Sequence, residues 1–252
     1  VTALPLIEVP AAPGVRAVFT TRAGGVGAPP FDGLNLSDVV GDDPEAVRAN
    51  RRLLCATLGV DGDRVAMLRQ VHGADVRTVG DDDDDGPFTT DLGPWREGDG
   101  LTTRAPGRAL LVMGADCLPV LLWRRDGTAV AAAHAGWRGL VGGVLEAAAR
   151  TLGDPGEVGA AVGPGVGACC YPVSADVRRA FAERFGSAAL RGDAVDLAAA
   201  ARAALVGHGV PEAQVAVVGR CTACAPAEFF SFRRDGAAAG RQAGVVWIAG
   251  RP

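Results

Sequence analysis

Apolar and polar positions divide the chain into short strands and medium-length helices. From Asp43-Pro44 to Leu58-Gly59, apolar Val47, Leu54 and Leu58 fall at helical spacing. An aspartate N-cap, a proline at the first helical position and a closing glycine frame them, so the segment is predicted to be a helix. Ala109 to Met113, Leu118 to Trp123 and Thr128 to Ala133 are short apolar runs, with Arg124-Arg125-Asp126-Gly127 as a turn between the last two. They are read as central strands, the last two forming a hairpin. Trp137 to Leu152, Ser174 to Phe185 and Asp196 to Val206 carry helical patterns, while Gln214 to Val218 and Val245 to Ile248 read as later strands. Strands and helices mixed in this way predict α/β layers.

At 252 residues the chain fits one large domain, taken as 1–252. Hydrophobic residues at 48% and charged residues at 21% match an ordinary globular protein. The polar stretch from Gly80 to Asp99 contains five consecutive aspartates at 81 to 85. Adjacent like charges repel and prefer water, so it is read as an exposed, inserted loop. No repeat period is evident.

Charge and composition narrow the chemistry. A net charge of -4 without a basic patch argues against nucleic acid as a partner. All 25 basic residues are arginine, which excludes a lysine Schiff base and a P-loop lysine. With no signal-peptide pattern and no apolar run long enough to span a bilayer, the expected compartment is the cytoplasm and no membrane partner is expected. Six cysteines in a chain of this length are expected to be free thiols or ligands rather than a disulfide framework.

The chemistry concentrates in RQVHG (69 to 73), ADC (115 to 117) and HAGWRG (134 to 139), which hold two of the three histidines. Cys117 directly precedes one strand of the hairpin and His134 directly follows the other, so antiparallel pairing brings them together. His72 ends the Val65 to Val71 segment, and its arrival at the same edge has to come from the fold. A thiolate and two imidazoles suit Zn²⁺ with a fourth position open to water or substrate. His₂Cys also suits copper, but a multicopper oxidase needs a histidine-rich cluster, and only His208 remains. Met113 points at no defined axial position.

Other candidates have plainer readings. Cys221-Thr-Ala-Cys224 has zinc-ligand or redox spacing, but zinc would need two more ligands, from Cys55 or the Cys169-Cys170 pair; packing is the preferred reading. His208, after a helix, reads as a C-terminal cap. Gly163-Pro164-Gly165-Val166-Gly167 is read as a tight turn or an anion-binding nest. Arg22, Arg69, Arg138 and Arg233-Arg234 offer guanidinium groups to an anionic substrate.

These motifs, with TTRAGGVG, NLSDVVGDDPEAVRANR, DGLTT, ADCLPVLL, GPGVGACCYPV, CTACAPAEFFSFRRDG and GRQAGV, resemble the YfiH-like, or laccase-domain, family over nearly the whole chain. Pro172, in place of a frequent acidic residue, and Phe232, in place of a common tyrosine, are small departures. The resemblance implies a three-layer α/β/α sandwich with a mixed sheet, similar to the cytotoxic-necrotizing-factor fold. It also implies a metal triad mapped onto His72, Cys117 and His134.

Activities ascribed to that family are purine nucleoside phosphorolysis with adenosine deamination, polyphenol oxidation, and editing of peptidoglycan precursors. Deamination suits an open zinc position, and phosphorolysis suits an anion pocket of glycine backbone and arginine. The resulting expectation is a zinc-dependent purine nucleoside phosphorylase acting on adenosine, inosine, guanosine or methylthioadenosine, with adenosine deaminase activity, working as a monomer or homodimer. Asp116 is expected to orient a ligand or shuttle a proton, and Arg22, Asn35, Arg69 and Arg138 to bind phosphate or ribose. A Cys117-nucleophile hydrolase, a copper oxidase and a non-catalytic metal-binding protein are the alternatives.

Overall fold

A computed structural model describes residues 4–81, 83, 88–90 and 96–249. In chain order the first strands are β1 (Leu6–Glu8), β2 (Val15–Thr20), β3 (Val65–Ala66), β4 (Val76–Thr78), β5 (Gly100–Thr103), β6 (Ala109–Gly114) and β7 (Leu118–Arg124). They are followed by β8 (Val130–Ala135), β9 (Val158–Val162), β10 (Leu190–Arg191), β11 (Ala194–Val195), β12 (Val215–Val217) and β13 (Gln242–Ile248). The helices are α1 (Pro44–Leu58), α2 (Trp137–Gly142), α3 (Val144–Thr151), α4 (Ala175–Phe185), α5 (Leu197–Gly207) and α6 (Phe232–Asp235).

The expected α/β sandwich is present, with its β layer built from two mixed sheets. One has the order β1-β2-β13-β6-β3 and the other β12-β9-β7-β8-β5-β4. Alternation along the strands assigns their faces. Val120 and Leu122 of β7 and Ala131 and Ala133 of β8 pack on α2, α3, α4 and α5. Leu121, Trp123, Val130 and Ala132 face Phe19, Leu110, Val112 and Val246 of the other sheet. Val18, Leu111, Val245 and Trp247 on that sheet's outer face pack against Leu54 and Cys55 of α1. Burying each valine, leucine or phenylalanine among them contributes roughly 1.5–3 kcal/mol.

Local chemistry sets the helix ends. Asp43 accepts a hydrogen bond from the Glu45 N–H at the start of α1, and Gly59 closes it at φ 67°. Ser174 and Asp196 cap α4 and α5 in the same way. The predicted Trp137 to Leu152 helix is two helices, because Gly143 takes φ 86° and ends α2 before α3 starts. His208 is the C-cap of α5, as expected.

The Val65 to Val71 segment contributes only a two-residue strand and then runs as a loop. Of the aspartate run, residues 82, 84 and 85 lie outside the described residues. Asp81 pairs with Arg64 at 2.7 Å, and Asp83 accepts the Gly80 N–H. Among the described residues, no helix is long and apolar enough to cross a membrane.

Candidate metal centre

The site lies where the chain crosses from one sheet to the other. After β6 ends at Gly114, Ala115-Asp116-Cys117 passes to the start of β7. Space forces glycine at the crossing, since a Cβ on Gly114 would lie 2.6 Å from the Cys117 carbonyl oxygen. The hairpin then acts as its pattern predicts: Leu118 pairs with Ala135 and Pro119 with His134, which sets Cys117 beside His134. His134 lies inside β8 rather than after it, and the strand begins at Val130.

Three ties carry His72 to this edge. Gln70 makes a two-way bridge to Met113 at the end of β6, donating from Nε2 at 2.7 Å and accepting its N–H at 2.8 Å. Arg69 pairs with Glu97 in a parallel bridge just before β5, which itself pairs with β8. The third tie is Asp99, whose carboxylate accepts the N–H groups of Val71, His72 and Gly73 at 3.2, 2.9 and 2.6 Å.

Ligand atoms of His72, Cys117 and His134 thus lie within 4.8 Å of one another. The two imidazoles meet edge to face at 4.9 Å between ring centroids. His134 is buried, Cys117 half-buried and His72 exposed, so one side of the group opens to solvent. His72 (φ 62°) and Asp116 (φ 96°) are the non-glycine residues with positive φ among those described. Such backbone costs of order 1–3 kcal/mol each and is held by its surroundings. Gly136 leaves room for the group, because a Cβ there would lie 2.8 Å from Cys117 Sγ and 3.3 Å from His72 Cδ2.

Charge is shared across the group. His134 Nδ1 lies 2.9 Å from Asp99 Oδ1. Burial raises the Asp99 pKa, but hydrogen bonds from His134 and from the Gly73 and His72 amides outweigh it and hold the carboxyl low. An ionised carboxylate only accepts, so Nδ1 carries the proton and Nε2 is left to face Cys117 and His72. Burial also pushes the Cys117 thiol up, but the His134 charge and hydrogen bonds from both histidines bring it down to about 6. In the absence of an ion, His134 rises to about 9, as Cys117 and Asp99 overcome its burial. Two imidazoles, one thiolate and a carboxylate behind one imidazole are a donor set that could hold a transition-metal ion.

The remaining predicted residues fall in different places. Asp116 sits in the crossing, with Oδ1 accepting the Thr222 hydroxyl hydrogen at 2.6 Å and Oδ2 the Arg233 N–H. Arg22 is committed to Asp32, the Pro226 carbonyl and the Phe230 ring. Asn35 is fully buried, bonded to Ser37, Asp42 and the Arg241 N–H. Both side chains are thus already engaged by partners within the protein. Arg69 is exposed beside Glu97, and Arg138 lies over the Trp137 ring. Met113 packs into the cluster beneath α1.

Sequence reasoning missed Asp99, although DGLTT contains it; an aspartate at the start of an apolar strand was the available signal. It also missed Arg241 and Tyr171. Burial lowers the Arg241 guanidinium while Cys117 and Asp116 draw it up, and burial followed by Cys117 raises the Tyr171 phenol. Both therefore lie within electrostatic reach of the thiolate. A separate hollow of about 620 Å³, lined by Glu146, Arg184 and His208 among others, includes none of the triad.

Fold and site together define an α/β protein with a His₂Cys cluster, able to hold a metal ion, at the seam of two sheets. The chain belongs to the multi-copper polyphenol oxidoreductase laccase family, whose model matches residues 16–249, the YfiH-like group that the motifs resemble. A purine nucleoside phosphorylase of Streptomyces coelicolor is 41% identical over 243 residues, covering 93% of this chain and 96% of the relative. Purine nucleoside phosphorylase YfiH of Escherichia coli is 40% identical over 242 residues, covering 93% and 94%. The crystal structure of Bacillus licheniformis YfiH, a hypothetical protein, superposes with a TM-score of 0.91 at 30% identity, covering 98% of this chain and 97% of that one.

Proposed function

We propose that the protein is a zinc-dependent purine nucleoside phosphorylase, cleaving adenosine, inosine, guanosine or methylthioadenosine with phosphate, with adenosine deaminase activity at the same centre. The observation that carries this reading is the convergence of His72, Cys117 and His134, with Asp99 on the far nitrogen of His134. The relatives named purine nucleoside phosphorylase supply the substrate class.

His72, Cys117 and His134 would hold the ion. Zinc bound there supplies Lewis acidity beside an open coordination position. Asp99 keeps the Nδ1 proton on His134, which would leave Nε2 to hold the ion. Arg138 and Arg69 at the rim, with Arg241 and Arg233, provide the positive field for phosphate. Tyr171, kept protonated by burial and by the Cys117 charge, offers a hydroxyl donor to substrate. Asp116 acts by positioning: its bonds to Thr222 and Arg233 fix the crossing that presents Cys117.

The test is to incubate zinc-loaded protein with adenosine and phosphate and chromatograph the products. Adenine, hypoxanthine, inosine and ribose 1-phosphate are the expected products, and their absence overturns the reading. The depressed Cys117 pKa favours one second reading, a hydrolase using Cys117 as nucleophile with a histidine as base. Such an enzyme keeps its activity after chelation and loses it on alkylation, whereas the zinc enzyme is stopped by chelation.

A further inference from the structure

Four of the six cysteines gather away from the triad. Cys169 and Cys170 lie on a short turn, Ala168–Cys170, after β9, and Cys221 and Cys224 lie on the loop after β12. The structure gathers Cys221 and Cys224 with the Cys169-Cys170 pair near the surface. The four Sγ atoms lie within 4.8 Å of one another, and Cys55 is not among them but sits on α1, in the core.

The two loops are tied by backbone. Gly165 and Cys221 form a parallel bridge, with the Gly165 N–H donating to the Arg220 carbonyl and the Thr222 N–H to the Gly165 carbonyl. Sγ of Cys224 is 3.6 Å from that of Cys169 and 3.3 Å from that of Cys170. These separations exceed the roughly 2.05 Å of a disulfide. They bracket, with the 4.8 Å limit, the edge of about 3.8 Å that a tetrahedron of thiolates takes around one Zn²⁺ with bonds of about 2.3 Å.

Polar support is also present. The Gly167 N–H donates to Cys221 Sγ at 3.2 Å, and a Cβ on Gly167 would crowd Cys169 Sγ and Cys221 Cβ, both at 3.2 Å. Arg234 binds the carbonyls of Thr222 and Ala223 inside the Cys-x-x-Cys loop, bringing a positive charge to the four-cysteine cluster.

We infer that Cys169, Cys170, Cys221 and Cys224 form a second, structural site for one tetrahedral thiophilic cation of the Zn²⁺ class. Its ligands close off all four positions, so its role is to staple. The stapled loops carry Thr222, whose hydroxyl holds Asp116, and Tyr171, which follows Cys170 directly. The second ion would therefore fix the crossing from which Cys117 projects.

The experiment counts metal per chain by elemental analysis after growth in zinc. Two equivalents are expected in the wild type, one in Cys117→Ser and one in the Cys221→Ser/Cys224→Ser pair. Cobalt titration of Cys117→Ser gives a readout that does not require the tetrad variant to fold. Intense sulfur-to-cobalt charge-transfer bands, scaled to four thiolates at one equivalent, are expected. No metal in Cys117→Ser, or a cobalt spectrum without those bands, overturns the inference. So does a thiol titration of freshly reduced, zinc-supplied protein that finds the four cysteines joined as disulfides. None of these readouts depends on turnover, so they stand apart from the nucleoside reading.

Discussion

Asp99 Oδ1 lies 2.9 Å from His134 Nδ1 while the same carboxylate accepts the backbone N–H groups of residues 71 to 73. One side chain thus sets the tautomer of one ligand and the loop position of another. Asp99→Asn keeps the size but puts an amide where only an acceptor fits. Metal affinity is expected to fall about 10–100-fold, with activity following it. Zinc competition titration checks this, and circular dichroism confirms that the fold persists.

The Cys117 thiol gives a pH prediction for protein stripped of metal. With Cys117 at about 6 and His134 at about 9, the thiolate–imidazolium pair exists between those values. Below about 6 the thiol takes up its proton; above about 9 the imidazolium loses its own. Alkylation of Cys117 by iodoacetamide is therefore expected to rise with pH through about 6, well below the ordinary 9.0 of a thiol. Peptide mass mapping follows the rate, and added zinc is expected to suppress it.

Gly136 and Gly142 differ in what a methyl group would meet. Gly136→Ala drives a Cβ to 2.8 Å from Cys117 Sγ, so zinc occupancy at the triad is expected to drop at least tenfold. Gly142→Ala meets only Ala74 Cβ at 3.6 Å, near the end of α2. There the reduced freedom of the unfolded chain is expected to raise stability by about 0.4–1 kcal/mol. Parallel metal analysis and thermal melts of the two variants check the contrast.

Arg51 on α1 is wholly buried, donating to the carbonyls of Leu36 and Phe88 and to Asp38 at 2.9 Å. Arg51→Ala leaves the Asp38 carboxylate, only 9% exposed, without this partner. A loss of about 3–5 kcal/mol is expected in urea unfolding. Because α1 packs on the outer face of the β1-β2-β13-β6-β3 sheet, residual folded protein is expected to keep its triad chemistry.

Much of this was legible where local chemistry decides the structure. The α1 caps and the β7–β8 hairpin follow from residue pattern, and the hairpin alone brought Cys117 to His134. What resisted was long-range. His72 depends on Gln70 meeting β6 and on Asp99 meeting three amides, contacts no periodicity encodes. The cysteine tetrad hid for the same reason: its two halves lie some fifty positions apart, and only the pairing of β9 with β12 places their loops side by side. The internal partners of Arg22 and Asn35 were equally illegible, because a polar residue in a motif looks the same whether it faces substrate or braces a loop.

The seam between the two sheets has a thermodynamic corollary. The hairpin brings Cys117 to His134, but residues 72 and 99 join them only through long-range contacts, so an ion held by the full set binds the native state in preference to the unfolded chain. Free metal then acts as a folding ligand, adding about 2.7 kcal/mol at a hundred times its dissociation constant. Ion supply would thereby set how much of this protein survives heat or proteolysis, independently of any reaction it performs.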